Sequence, residues 1–338
     1  MKGEACNNII TAQEIIMTPT IYGIDLGNSF TKSQNTTFLS GYEGPYSTKP
    51  IIASDYLFFN NNYYAPSAER LFYQRDKTED ERGIVLTLIS IAKEMLFKIE
   101  KKYNSHEDIQ QAILKVNNIG LGVGLPVSHY NKTYIDNLIN YYTKYMGKGI
   151  HFEYNGYQFS FTMTVCRVYP QGGAAAATKD NKIAEKYNTY YVIDIGGYTI
   201  DVAQFKNGVP AKDRLSLEMG IITMYDNIVE KIFTNCNINV DHDAIEAVLN
   251  NENTILSEDA QALIREMTMK HANNVLNALR QQKIMFDSHP CLFVGGGSNM
   301  LKNVLLKNPM IKKDAVQFIT DTRANAKGYA RLLKSELL

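Results

Sequence analysis

A phrase occurs twice in this chain of 338 residues, and the repetition constrains its fold more than any other feature. Ile24-Asp25-Leu26-Gly27-Asn28-Ser29-Phe30-Thr31-Lys32 returns 169 residues later as Ile193-Asp194-Ile195-Gly196-Gly197-Tyr198-Thr199-Ile200-Asp201. Each copy is an apolar strand, an Asp, a small-residue turn and a second strand. A charge stands seven residues after the Asp, Lys32 in one copy and Asp201 in the other. Residues 22–26 and 190–195 are rich in β-branched and aromatic side chains and both lead into Gly, the pattern of buried strands closing in tight turns. Two such hairpins facing each other across a cleft are one way to hold a chain of phosphates.

The residue types in the turns favour that reading. An Asp at the end of a buried strand is costly to leave unpaired. Hydrated Mg²⁺ beside phosphates would satisfy it, since this ion keeps several waters and uses few carboxylates. Gly27, Gly196 and Gly197 let the backbone come close to a ligand, and turn N–H groups then face an anion. Asn28, Ser29 and Thr199 add side-chain donors, and Lys32 can reach back as a point charge for a phosphate. Either copy alone reads equally well as an ordinary hairpin with an Asx turn; two copies in register favour the phosphate site. A third cluster supports them. Residues 291–294 are an apolar strand running into Gly295-Gly296-Gly297-Ser298, and helical spacing follows at Met300, Val304 and Leu305. A strand, three glycines and a helix start form a place where backbone meets a flat ring or a phosphate.

Together these stretches resemble the actin, sugar-kinase and heat-shock-chaperone ATPase superfamily. The two hairpins are similar to its two phosphate motifs and the triple glycine to its adenosine motif. Tyr169-Pro170-Gln171-Gly172-Gly173 resembles the first connecting motif and Ala324-Asn325-Ala326-Lys327-Gly328-Tyr329 the second. The resemblance covers residues 20–335. Lys32, and Gly120 to Pro126 read as a "GLP" strand, resemble the bacterial actin-like proteins of the ParM type. Tyr198 departs from the family, which has a small residue there. The resemblance implies an α/β, actin-like (ribonuclease H-like) fold of duplicated domains around a nucleotide cleft. It implies domain I over 19–168 and 322–338 and domain II over 169–321. Residues 1–18 read as a flexible leader, with a small contact arm as the alternative.

The same resemblance implies ATP (or GTP) with Mg²⁺. Asp25 would hold the ion through water, with Asp194 near it. Lys32, Asn28, Ser29 and Gly27 would contact phosphates from the first hairpin, and Gly196, Gly197 and Thr199 from the second. Gly220, Gly295, Gly296, Gly297 and Ser298 would complete the nucleotide site. Gln171 would orient the attacking water with Asp194 as its partner, giving a slow hydrolase. It further implies a filament homopolymer in the cytoplasm that segregates plasmid DNA through a centromere-binding adaptor. A small-molecule kinase of the same fold and a non-polymerising nucleotide switch are the alternatives. The kinase would need a carboxylate base where Gln171 stands.

Composition narrows the partners. With 45% hydrophobic residues the chain can bury sizeable cores, and its length suits about two domains. Thirty-five basic and 35 acidic residues cancel, which argues against a large DNA-binding face. DNA would therefore be touched only indirectly. Cys6, Cys166, Cys236 and Cys291 lack CxxC spacing, so free thiols are expected. No apolar run approaches membrane-spanning length, and residues 1–16 do not read as a signal peptide.

Periodicity predicts helices over 79–103, 130–146, 173–187, 221–233, 244–249 and 258–285, and strands over 119–125, 163–168 and 209–217. Tyr134, Leu138, Tyr141 and Tyr145 form a stripe expected to be core or interface. Asn155-Gly156 and Asn207-Gly208 mark turns. Asp241-His242-Asp243 looks like a metal triplet, but Asp241 as a helix cap is the simpler reading, as is Ser257.

Overall fold

The computed structural model describes residues 18–51, 53, 55–67, 69, 71, 78–178, 181–207 and 209–338. The expected leader up to residue 17, Cys6 and the Gly208 half of one turn lie outside the described residues. Among the described residues the strands form two sheets. The first contains β1 (Thr20–Leu26), β2 (Phe30–Lys32), β3 (Thr37–Leu39), β4 (Tyr42–Tyr46), β5 (Leu57–Phe59), β6 (Asn62–Pro66), β7 (Asn118–Leu125), β8 (Gly149–Tyr154) and β9 (Tyr157–Pro170). Its order is β3-β2-β1-β7-β9-β8-β5-β6-β4. The second contains β10 (Thr189–Ile195), β11 (Ile200–Lys206), β12 (Val209–Leu217), β13 (Cys291–Val294) and β14 (Val316–Phe318), ordered β12-β11-β10-β13-β14.

The sequence repeat is thus the visible part of a larger one. In each sheet an antiparallel three-strand meander is followed by two parallel strands, β7 and β9 in the first and β13 and β14 in the second. The fold is α/β with duplicated units. The first sheet alone extends beyond this pattern, because β9 runs on past β7 and pairs with β8. The β8–β9 turn is Asn155-Gly156, with φ of 52° and 83°, the tight turn expected from that dipeptide.

Each sheet buries a large core, and two smaller clusters, one around Tyr190, Val192 and Phe205 and one around Tyr169 and Tyr329, accompany them. The first large core gathers side chains from β1, β5, β7, β8 and β9 with the helices Arg82–Ile99, His106–Leu114 and Lys132–Thr143. The second gathers β10, β11 and β13 with the helices Ile221–Cys236, His242–Leu249, Glu258–Gln281 and Gly296–Leu305. Fully burying an aliphatic side chain such as Ile84 or Ile264 stabilises by about 1.5–3 kcal/mol. The Arg82–Ile99 helix is buried on every side from Gly83 to Ala92, rather than on one face. Its polar Thr87 is accommodated by bonding the Gly83 carbonyl and the Tyr142 hydroxyl. The stripe is core at Leu138 and Tyr141, with Tyr145 packed against it, whereas Tyr134 is half-buried; the Tyr141 hydroxyl accepts from the Ile84 N–H at 2.8 Å, satisfying an otherwise orphan amide of that helix.

Two expectations need correction. The predicted 173–187 helix is two short ones, Gly173–Ala176 and Lys182–Lys186. Asn181 ends the continuity by capping the second, its side chain accepting from the Ala184 N–H. The glycine-rich helix also begins within the glycines, at Gly296, rather than after Ser298. Asp241 and Ser257 do cap their helices through Ala244 N–H and Ala260 N–H.

The last helix, Ala324–Leu337, follows β14 of the second sheet but packs on β1 and β7 of the first. Missing side chains let it lie there. A Cβ on Gly23 would sit 1.9 Å from the Ala326 carbonyl oxygen, and one on Gly124 would sit 1.9 Å from the Tyr329 hydroxyl. The glycines of the 119–125 strand therefore admit this helix. Among the described residues no helix is long and apolar enough to cross a membrane. Cys166, Cys236 and Cys291 are free thiols, and burial pushes Cys166 and Cys291 up to about 12.

Candidate nucleotide site

The two repeated hairpins are built alike. Asp25 pairs with Lys32 across β1–β2, and Asp194 pairs with Asp201 across β10–β11. The acid that opens each phrase therefore stands directly opposite the charge that closes it. In the second turn the Gly196 N–H donates to the Thr199 carbonyl at 2.9 Å. The first N–H groups of the Ile221–Cys236 helix are spent on this turn as well, Ile221 on the Gly196 carbonyl and Ile222 on the Gly197 carbonyl. These bonds hold the turn's remaining N–H groups in place.

The two turns meet tip to tip. A Cβ on Gly197 would lie 2.4 Å from the Ser29 hydroxyl of the other hairpin, so only glycine permits this approach. The Ser29 Oγ is buried and has no hydrogen-bond partner. Beneath the tips opens a cavity of about 750 Å³. Asp25, Gly27, Asn28, Ser29 and Lys32 line one wall, and Asp194, Gly196, Gly197, Tyr198 and Thr199 the other. Gln171 and the glycines 295–297 also line it.

Two of the expected site residues are placed elsewhere. Ser298 is fully buried and its hydroxyl donates to the Val294 carbonyl, so it locks the strand-to-helix turn. Gly220 lies behind the second hairpin, its N–H on the Tyr198 carbonyl and its Cα against Gly197. The glycine triplet also divides. Gly295 leaves room for Asp194 and Gly297 for Ile195, whereas a Cβ on Gly296 would meet nothing within 4 Å. Gly296 is the glycine of the three with open space beside it.

The carboxylates are the chemical centre. The Gln171 Nε2 donates to Asp25 Oδ1 at 3.0 Å. Asn325, unassigned by sequence reasoning, ties the last helix to Gly172 and Asp194: its Oδ1 accepts from the Gly172 N–H at 2.8 Å, and its Nδ2 donates to Asp194 Oδ2 at 3.2 Å. Its position in the second connecting motif was the available signal. Burial pushes Asp194 up to about 7; the Asn325 bond opposes this, the charges of Asp201 and Asp25 add to it, and Lys32 opposes it. Burial raises Asp201 too, against hydroxyl bonds from Thr199 at 3.0 Å and Ser128 at 3.3 Å.

Three buried carboxyl groups beside one lysine make a site that would gain from a cation. Among the described residues no group of three or more His, Cys, Asp or Glu side chains could hold a metal by itself. The donor set therefore fits an ion that keeps most of its own waters, as Mg²⁺ does, better than a fully ligated metal. The Asp241-His242-Asp243 triplet does not form a metal centre: Asp241 caps its helix and His242 meets Asp226.

Comparison with known proteins agrees with this architecture. Residues 192–307 match the family described as archaeal actin homologue MreB-like, C-terminal. No curated protein matches this sequence. In three dimensions the chain is similar to Ta0583, an archaeal actin homologue, at a TM-score of 0.72 and 17% identity, over 94% of this chain and 99% of that one. The ADP complex of the same archaeal protein gives a TM-score of 0.69 at 16% identity, with the same coverage. A 15-stranded ParM filament from Clostridium botulinum gives 0.67 at 17% identity, over 94% of this chain and 100% of that one. At these identities the likeness shows the fold, which is the duplicated α/β fold of the actin homologues.

Proposed function

We propose that the chain is a slow nucleoside-triphosphate hydrolase of the ParM type, whose bound nucleotide controls its assembly into filaments. On this reading it segregates plasmid DNA in the cytoplasm through a centromere-binding adaptor. The observation that carries it is the convergence of two like hairpins, at Ser29 and Gly197, over a cavity of about 750 Å³. That volume is within the range of small-molecule and cofactor sites. The unpartnered Ser29 hydroxyl supports a phosphate there, because a buried donor without a partner is costly. The archaeal homologue with ADP and the ParM filament support a nucleotide and self-assembly.

The division of labour follows the two walls. Lys32, Asn28 and Ser29 grip phosphates from the first hairpin, and Gly196, Gly197 and Thr199 from the second. Gly296 gives the nucleoside its surface. Gly220 and Ser298 act indirectly by fixing the turns. Asp25 and Asp194 would hold hydrated Mg²⁺, which when bound neutralises phosphate charge. Gln171 orients the attacking water, with Asp194 as its polarising partner. Phosphoryl transfer needs mainly positioning and charge stabilisation. A carboxamide is a poor base, so hydrolysis is slow enough to time a filament. The two domains that close on the nucleotide would be 19–168 with 322–338, and 169–321.

Titration of the purified chain with fluorescent ATP and GTP analogues in Mg²⁺, followed by phosphate release, tests this reading. Saturable binding with slow release is expected. No binding of either nucleotide would refute it. Phosphate transfer to a sugar panel would favour a kinase instead.

A further inference from the structure

The unit built on the second sheet is electrically polar, although the whole chain is neutral. Residues 221–266 carry nine acidic and two basic side chains, and residues 267–315 carry seven basic and two acidic ones. The Glu258–Gln281 helix joins the two stretches and is about 36 Å long. At its start Glu258 and Asp259 are exposed, and so is Glu252 in the loop before it. At its end Arg280 and Lys283 are exposed. The exposed Lys307, Lys312 and Lys313 join that end. The Asn308 side chain seats their segment there, donating at 2.6 Å to Asn273 in the second half of the helix. Among the described residues none of these charges forms an ion pair within the chain.

The helix dipole accounts for the acids in the first turn and for Arg280 in the last. It does not account for Glu252, Lys307, Lys312 or Lys313, which lie outside the helix. Nor do the two ends neutralise each other, because the Debye length at physiological salt is about 8 Å. Each end also exposes an apolar side chain, Ile255 at the acidic end and Met285 at the basic one. The Ile255 loop is held in shape. The Leu256 N–H donates to Thr254 Oγ1 at 3.2 Å, and the Gln261 carboxamide donates to the Leu256 carbonyl at 2.8 Å. An apolar contact rimmed by charge is the anatomy of a protein interface. Resting on the filament reading, we propose that the basic end is a docking surface whose partner is the acidic end of a second copy of this chain. Like ends repel, which disfavours a two-fold pair through either of them. Unlike ends meet head to tail, and since the two surfaces differ, the contact repeats along a polymer instead of closing as a two-fold dimer.

The test is sedimentation of the full chain with Mg²⁺ and a non-hydrolysable ATP analogue. Two charge reversals are compared, Lys312→Glu with Lys313→Glu at the basic end and Glu252→Lys with Glu258→Lys at the acidic end. Fluorescent-nucleotide affinity should equal wild type in both, which shows that they are folded. Each reversal alone should raise the critical concentration at least about tenfold. An equal mixture should pellet like wild type, because every reversed end again meets an opposite one. Raising salt from about 0.1 to about 1 M shortens the Debye length from about 10 to about 3 Å and should raise the wild-type critical concentration about tenfold. Wild-type pelleting by the reversals would overturn the inference and leave the filament reading standing. Pelleting of the wild type unaffected by salt would do the same without any variant. Failure of the mixture, with both variants binding nucleotide, would show that the two ends are not partners. Unchanged pelleting with lost duplex-DNA binding in the lysine variants would give the basic end to nucleic acid instead. A wild type that pellets under no nucleotide condition would overturn both readings.

Discussion

Gly296→Ala should separate binding from stability. Gly296 is the first residue of the Gly296–Leu305 helix, and a Cβ there would meet no protein atom within 4 Å. Protein packing therefore gives no penalty. The helix gains instead, because Ala is favoured over Gly by ~0.5–1 kcal/mol in helical conformation. For a chain of this size that is a rise in Tm of ~1–3 °C. Gly296 lines the cavity, and the space beside its Cα is open. A nucleoside lying against that surface would be overpacked by about 1–3 kcal/mol, roughly a ten- to hundredfold loss of affinity. Differential scanning calorimetry without nucleotide and fluorescent-nucleotide titration measure the two effects, which should have opposite signs. Affinity within about twofold of wild type would refute the placement of the nucleoside, since the methyl then meets nothing. A lowered Tm would show instead that the glycine is structural.

Three further changes have definite signs. If Lys32 meets a phosphate as proposed, Lys32→Ala removes a charge-assisted contact worth roughly 1.5–3 kcal/mol, and nucleotide affinity should fall about ten- to hundredfold by titration. Gln171→Ala should leave nucleotide binding intact and slow phosphate release, giving longer-lived filaments by light scattering. Glu94 has a fully buried carboxylate that accepts from the Ser33 hydroxyl at 2.6 Å, from Asn35 and from Lys98. Burial works against its charge, but these partners win and hold it below its ordinary value of 4.5. Its stabilisation is therefore present above that value and is lost as pH falls through the lower folded value. Glu94→Gln should lower urea-unfolding stability by about 2–4 kcal/mol at neutral pH, and the gap from wild type should close in acid.

Much of the site was legible because its residues are consecutive. Asp25 to Lys32 and Asp194 to Asp201 carry their own strand, turn and strand signals, and the register that sets each acid opposite a charge follows from the hairpin. What depends on distant packing was not legible. Asn325 acquires its role from Gly172 and Asp194, which lie 153 and 131 residues away in the chain. Tyr329 meets the site only because the last helix returns to the first sheet over Gly23 and Gly124. A run of Gly-Gly-Gly-Ser cannot say which glycine faces a ligand: Asp194 and Ile195 claim the space beside Gly295 and Gly297, and Val294 claims the Ser298 hydroxyl. The 173–187 stretch differs from its propensity, which favours continuing from the alanines, because the Asn181 cap starts a new helix.

The central claim is that nucleotide state controls assembly, and sedimentation tests it directly. Purified protein is centrifuged with Mg²⁺ and ATP, ADP or a non-hydrolysable analogue. The account predicts a pellet with ATP, a larger and lasting pellet with the analogue, and little with ADP. If no nucleotide condition pellets the protein above trace levels, the filament reading is wrong.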